Sequence, residues 1–275
     1  MLVWSEVLLR LAAGFIWLAL VSNIFRVSSK SLQLTRMAQI SSRGAWITLT
    51  LSLLTRTIAL GHLTYHTLFD TLLLLSWVVL TIYSYFEWKQ GWAILGVVVF
   101  AALAATSTYS LTLERDIKPL LPILQSRLLI VHISLNFSAY GAFFLSFILG
   151  LMYLGQEYQL KKKKITSLYY ILPGLETLEN FAHSLVSIGF PLLTMGIVVG
   201  SIYAKTAWDS FWHWDPKETW SLITWLVYAV YMHLRYVRGW RGKRSLVLVL
   251  VGFGAVLFNY FGVSLNLATE HQFLK

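Results

Sequence analysis

The chain has 275 residues, of which 57% are hydrophobic and only 12% charged, about half the roughly 25% charged residues of soluble domains, which excludes an ordinary soluble fold. Its formal charge of +10 would suit nucleic acid, but in a membrane chain such an excess collects in cytoplasmic loops, and no nucleic-acid partner is expected. Cysteine is absent, which excludes disulfides, thiol redox chemistry and thiolate ligands and leaves His, Met or oxygen to hold any metal.

A helix needs about 20 mostly apolar residues to cross the bilayer. Eight stretches are read as spans: Leu2–Phe25, Gly44–Leu60, Leu68–Phe86, Trp92–Thr106, Arg127–Leu154, Ala182–Tyr203, Glu218–Arg235 and Ser245–Asn266. The first lacks a basic start and a small-x-small cleavage site, so it is read as a span and not a signal peptide. Arg26, Lys30, Arg36 and Arg43 lie between the first two spans. Lys161 to Lys164 lie between the fifth and sixth, and Arg235, Arg238, Arg241, Lys243 and Arg244 between the last two. With eight spans these clusters share one side, which the positive-inside rule makes cytoplasmic. The fold class expected is therefore all-α: a polytopic transmembrane helical bundle of about eight spans, with both termini on the outer side. It is read as one membrane domain over 1–275, with an outer tryptophan-rich loop at 204–220.

Within that loop runs Trp208-Asp209-Ser210-Phe211-Trp212-His213-Trp214-Asp215-Pro216-Lys217-Glu218-Thr219-Trp220. Asp215 reads as a helix N-cap, Pro216 as the first helical residue and Glu218 as the capping-box partner. An interfacial aromatic belt uses one or two tryptophans per helix end; Trp208, Trp212 and Trp214 crowd one short loop. Clustered indoles make a flat apolar wall suited to a large planar ligand. Composition leaves belt and cofactor platform both open.

The segment Trp208–Trp225 is similar to the WWD signature of haem-handling proteins, and the chain as a whole resembles the CcsA/ResC family of the System II cytochrome c synthase. Further stretches carry the likeness: Gly61-His62, Leu74-Leu75-Ser76-Trp77, Val131-His132, Tyr231-Met232-His233-Leu234-Arg235, and Asn259-Tyr260-Phe261-Gly262-Val263 through His271. The family's closing Leu-His-Ser-Tyr pattern stands here as Glu270-His271-Gln272-Phe273.

In a chain without cysteine, haem iron calls for imidazole as axial ligand. His132 lies roughly 8 Å below the outer end of the fifth span, and His271 just past the outer end of the eighth. Both can reach one outer plane near the tryptophan loop, and the resemblance implies that they ligate haem iron there. A histidine within a span is costly unless paired. His62 is an outer-side candidate, His66 and His213 read as loop residues, and His183 reads as interfacial. His233 lies roughly 22 Å down a core of about 30 Å, too deep to share an iron with His132.

What the resemblance implies is cytochrome c biogenesis by a subunit of a holocytochrome c synthase. Haem b would enter at an inner site containing His233 and move to the outer site of His132, His271, Trp208, Trp212, Trp214, Trp220 and Asp215. There it would be joined to the Cys-x-x-Cys-His thiols of an apocytochrome c. The partner implied is a CcsB/ResB-type membrane subunit, in a bacterial plasma membrane or a thylakoid. Arg56, Arg127, Lys205 and Lys217 are outer-side cations for the propionates. Two alternatives remain: a WWD protein of another maturation system, and a membrane transporter gated by the tryptophan loop.

Overall fold

A computed structural model describes residues 1–29, 31–65, 67–113 and 125–263. They form α1 (Leu2–Ser28), α2 (Leu32–Leu60), α3 (Leu68–Lys89), α4 (Ala93–Thr112), α5 (Arg127–Lys161), the short α6 (Ser167–Ile171), α7 (Leu175–Trp208), α8 (Pro216–Val237) and α9 (Lys243–Leu257). A π-helical turn, Phe258–Val263, follows α9. No strand occurs among the described residues. Six helices are long and apolar enough to cross a membrane: α1, α3, α4, α5, α7 and α9 with its extension to Gly262. The chain is an integral membrane protein.

The other two long helices, α2 and α8, fall outside that set because polar residues lower their average hydropathy; of the two, only α8 is strongly amphiphilic. Helix α2 begins at Leu32, well before the expected Gly44, because nothing between them breaks a helix. Arg36 and Arg43 therefore sit on a helix and not in a loop. Helix α7 likewise continues through Trp208, with Lys205 in its last turn favouring the helix dipole. The connection to α8 is thus Asp209–Asp215.

The helices divide into two packed units, α1–α4 and α5–α9. In the first, α1 lies along α2 and α4, and α3 along α2 and α4. Small residues permit the close approach that apolar solvent cannot drive: Ala12 and Ala19 of α1 and Ala38 and Ala45 of α2 are fully buried. Indole-to-threonine bonds fix α2 against α3, from Trp46 to Thr81 at 2.9 Å and from Trp77 to Thr50 at 2.8 Å.

In the second unit α5 runs along α7 and α9, with α8 against α7 and α9. Three glycines of α7 accept α5 side chains into the backbone groove. A Cβ at Gly189 would stand 2.6 Å from Phe143, at Gly196 2.6 Å from Asn136 and at Gly200 2.4 Å from His132. Phe143 also stacks on Tyr228 of α8 at 3.7 Å and 10°, and a Cβ at Gly252 of α9 would stand 2.7 Å from the same Tyr228 ring. Trp225 of α8 donates to Thr194 of α7 at 2.8 Å.

Candidate functional site

The end of α7 and the start of α8 set the site. Helix α7 stops at Asp209, which takes the left-handed conformation (φ 59°); Lys205 Nζ holds its carboxylate at 2.6 Å and its carbonyl at 2.9 Å. Trp214 is left-handed as well (φ 57°), which is rare for a bulky aromatic residue and persists only where the surroundings impose it. Asp215 then caps α8, its Oδ1 accepting from Lys217 N at 2.7 Å and Glu218 N at 3.3 Å. The reciprocal arm of the expected capping box is displaced: Glu218 accepts from His213 N at 2.8 Å.

These bonds present the indoles unevenly. Trp208 is half-buried, edge-on to both Tyr203 and His213. Trp212 and Trp214 meet edge to face at 5.8 Å, and Trp214 is 70% exposed. The Trp212 Nε1 is buried with no hydrogen-bond acceptor. Trp220 is half-buried, its ring 4.2 Å from that of the exposed Phe258. The loop thus offers Trp214 as an open face with the half-buried Trp212 against it, while Trp208 packs on Tyr203 and His213.

The same loop folds back onto α7, where Ser201 Oγ donates to the Phe211 carbonyl at 2.9 Å. Ser201 follows Gly200, against which the His132 ring rests. His132 of α5 and the tryptophan loop therefore share one level. His132 Nδ1 lies 2.7 Å from the Gly196 carbonyl, a bond in which the ring nitrogen must donate. The Asn136 amide donates to the His132 carbonyl at 2.9 Å and stands 3.2 Å from Nδ1 and 3.3 Å from Nε2. Asn136, Gly196 and Gly200 were not singled out from the sequence. Asn136 is one turn from His132, and residues 189, 196 and 200 share a helix face, but only the packing of α5 on α7 brings the two sets together.

The remaining histidines separate. His62 follows the left-handed Gly61 (φ 77°) in the first unit, its Nδ1 3.2 Å from the Leu63 carbonyl. His213 is exposed. His183 Nδ1 meets the Tyr231 hydroxyl at 3.1 Å, beside the buried Glu179–Arg235 ion pair. His233 is exposed on α8; two residues past Tyr231, it projects roughly 200° away from His183. His66 and His271 lie outside the described residues. Of the outer cations, Arg56 is buried on Asp70 at 2.9 Å and Lys205 is engaged by Asp209, while Arg127 is exposed. No group of three His, Asp or Glu side chains that could hold a bare metal ion occurs among the described residues.

Residues 65–271 match the family described as cytochrome c assembly protein. The cytochrome c biogenesis protein CcsA of Trieres chinensis is 34% identical over 262 residues, 84% of each chain. That of Guillardia theta is 36% identical, over 80% of this chain and 79% of its own; that of a Synechococcus species is 32% identical over 80% of each. Among solved structures, the cytochrome c haem lyase CcmF has the same fold over 94% of this chain, with a TM-score of 0.67 at 17% identity. This chain spans 46% of that protein. A helical membrane protein of cytochrome c biogenesis is the class these findings define. Within it, the chain belongs to the CcsA family.

Proposed function

We propose that this protein is the haem-binding subunit of a cytochrome c synthase, taking haem b at the inner membrane face and presenting it at the outer face to an apocytochrome c. The observation that carries the reading is the shared level of His132 and the tryptophan loop, fastened by Ser201 to Phe211. The residues present fit the group. His132 offers an imidazole whose Nδ1 is already committed to a carbonyl, the usual second contact of a metal-bound histidine. Trp212 and Trp214 offer apolar faces, and the orphaned Trp212 Nε1 offers a donor to an anionic edge. When bound, haem supplies the vinyl groups to which the apocytochrome thiols add.

On this reading His132 and His271 are the outer axial ligands. Trp208, Trp212 and Trp214 orient the macrocycle and exclude water, which makes the protein's contribution positional. Trp220 supports the wall through its contact with Phe258. Asp215 holds the loop as a cap. His62 is a further outer candidate in the first unit. His233, exposed on α8, is an inner ligand completed by a second imidazole from a CcsB/ResB-type subunit. Helices α2 and α8 cross the membrane with the six apolar ones, which sets both termini outside, in a bacterial plasma membrane or a thylakoid. A transporter would need intramembrane charges free for a substrate, whereas Asp70, Glu87 and Glu179 each face an arginine.

The test is haem content and reduced absorption spectrum of the purified two-chain complex, together with holocytochrome c formed in cells. His132→Ala is expected to abolish maturation and retain the inner haem. Full maturation in both His132→Ala and His271→Ala would overturn the outer site.

A further inference from the structure

We infer that Gly196 and Gly200 of α7 are positioning residues for His132, the first setting its tautomer and the second its rotamer. This rests on the reading of His132 as an iron ligand. The Gly196 carbonyl, 2.7 Å from Nδ1, can only accept, so the proton sits on Nδ1 and the lone pair on Nε2. The Asn136 amide stands 3.2 Å from Nδ1 and 3.3 Å from Nε2 and donates to the His132 carbonyl at 2.9 Å, so it does not tell the two ring nitrogens apart and the Gly196 carbonyl alone sets the tautomer. Gly200 supplies the floor. A Cβ there would stand 2.4 Å from Nδ1 and 2.5 Å from Cε1, distances that real Cβ atoms do not tolerate. Any residue other than glycine therefore drives the ring off its carbonyl or α5 off α7. Glycine within a helix is otherwise unfavourable, so its presence at 200 is explained by what it accommodates.

The same helix pair provides its own control. A Cβ at Gly189 would meet Phe143 at 2.6 Å, a comparable collision on the same face of α7, remote from His132. Gly155 of α5 has open space around it.

The experiment compares the purified two-chain membrane complex carrying Gly200→Ala, Gly189→Ala, Gly155→Ala or His132→Gly. It reads haem per complex, the reduced and oxidised spectra, and their response to added imidazole. Gly200→Ala is expected to bind the outer haem about 10–100-fold more weakly, the range for loss of a contact that orients a metal ligand. Its remaining haem should lose the bis-imidazole spectrum and regain it with imidazole, as in His132→Gly. Gly189→Ala should change yield, leaving haem per complex and spectrum alone, and Gly155→Ala should change neither. A wild-type spectrum in Gly200→Ala, with His132→Gly defective, overturns the inference and leaves the ligand assignment standing. A wild-type spectrum in His132→Gly overturns the ligand assignment itself and the inference with it. Should Gly200→Ala fail to accumulate, the double variant Gly200→Ala with His132→Gly decides. Removing the ring makes room for the Cβ, so the double variant is expected to accumulate and respond to imidazole. A double variant no better than the single one refutes the collision with His132.

Discussion

His183 of α7 and Tyr231 of α8 are joined ring nitrogen to hydroxyl at 3.1 Å, and this contact turns His233 to the opposite side of α8. Exposed around His233 on that side are Leu226, Val230 and Val237. An imidazole in such an apolar stripe is costly within a bilayer unless another chain meets it. His183→Phe is therefore expected to keep inner-site haem in the two-chain complex, and His233→Ala to lose it. Haem counts per purified complex distinguish them; loss in His183→Phe equal to that in His233→Ala would make His183 a ligand after all.

Filling of the outer site is expected to depend on the inner one. His233→Ala should deplete haem at both levels, whereas His132→Ala should leave the inner haem in place. Stoichiometry by pyridine haemochrome, in cells given no external haem, provides the check. Full outer occupancy in His233→Ala would exclude passage from inside to outside.

Asp215 separates capping from chemistry. If its role is to accept from Lys217 and Glu218, Asp215→Asn should sustain cytochrome c maturation. Asp215→Ala should lose roughly 1 kcal/mol of helix stability, the ordinary worth of an N-cap, and lower maturation with it. Thermal denaturation of the purified complex reads the first, and holocytochrome yield the second. Failure of Asp215→Asn with unchanged stability would assign the carboxylate a charge-dependent role.

Sidedness can be read directly. A cysteine at Gln272 should react with a membrane-impermeant maleimide in intact cells or right-side-out vesicles, and one at Lys162 only after the membrane is opened. The chain has no native cysteine to interfere. The reverse pattern would invert the topology and remove the outer site.

Much of this was legible locally. Apolar length marked the long helices, Asp215-Pro216 marked the start of α8, and four indoles in thirteen residues marked the loop. What escaped is tertiary in origin. Nothing near Gly200 in the chain states that α5 packs there, so the ledge under His132 required knowing which helices touch. Arg56 looked available to a propionate until Asp70, fourteen residues on, was found against it. The left-handed Trp214 also went unseen, since an aromatic residue gives no local warning of that conformation.

The Phe143–Tyr228 stack has a bearing on traffic through the membrane. The two rings lie face to face and fully buried, wedged between Gly189 and Gly252. On α5, Phe143 lies roughly 16 Å along the helix from His132. Together they fill the contact of α5, α7, α8 and α9 with close-packed aromatic rings. On the proposed function, haem moving from His233 to His132 would skirt this aromatic plug along the face of α8 where His233 is exposed.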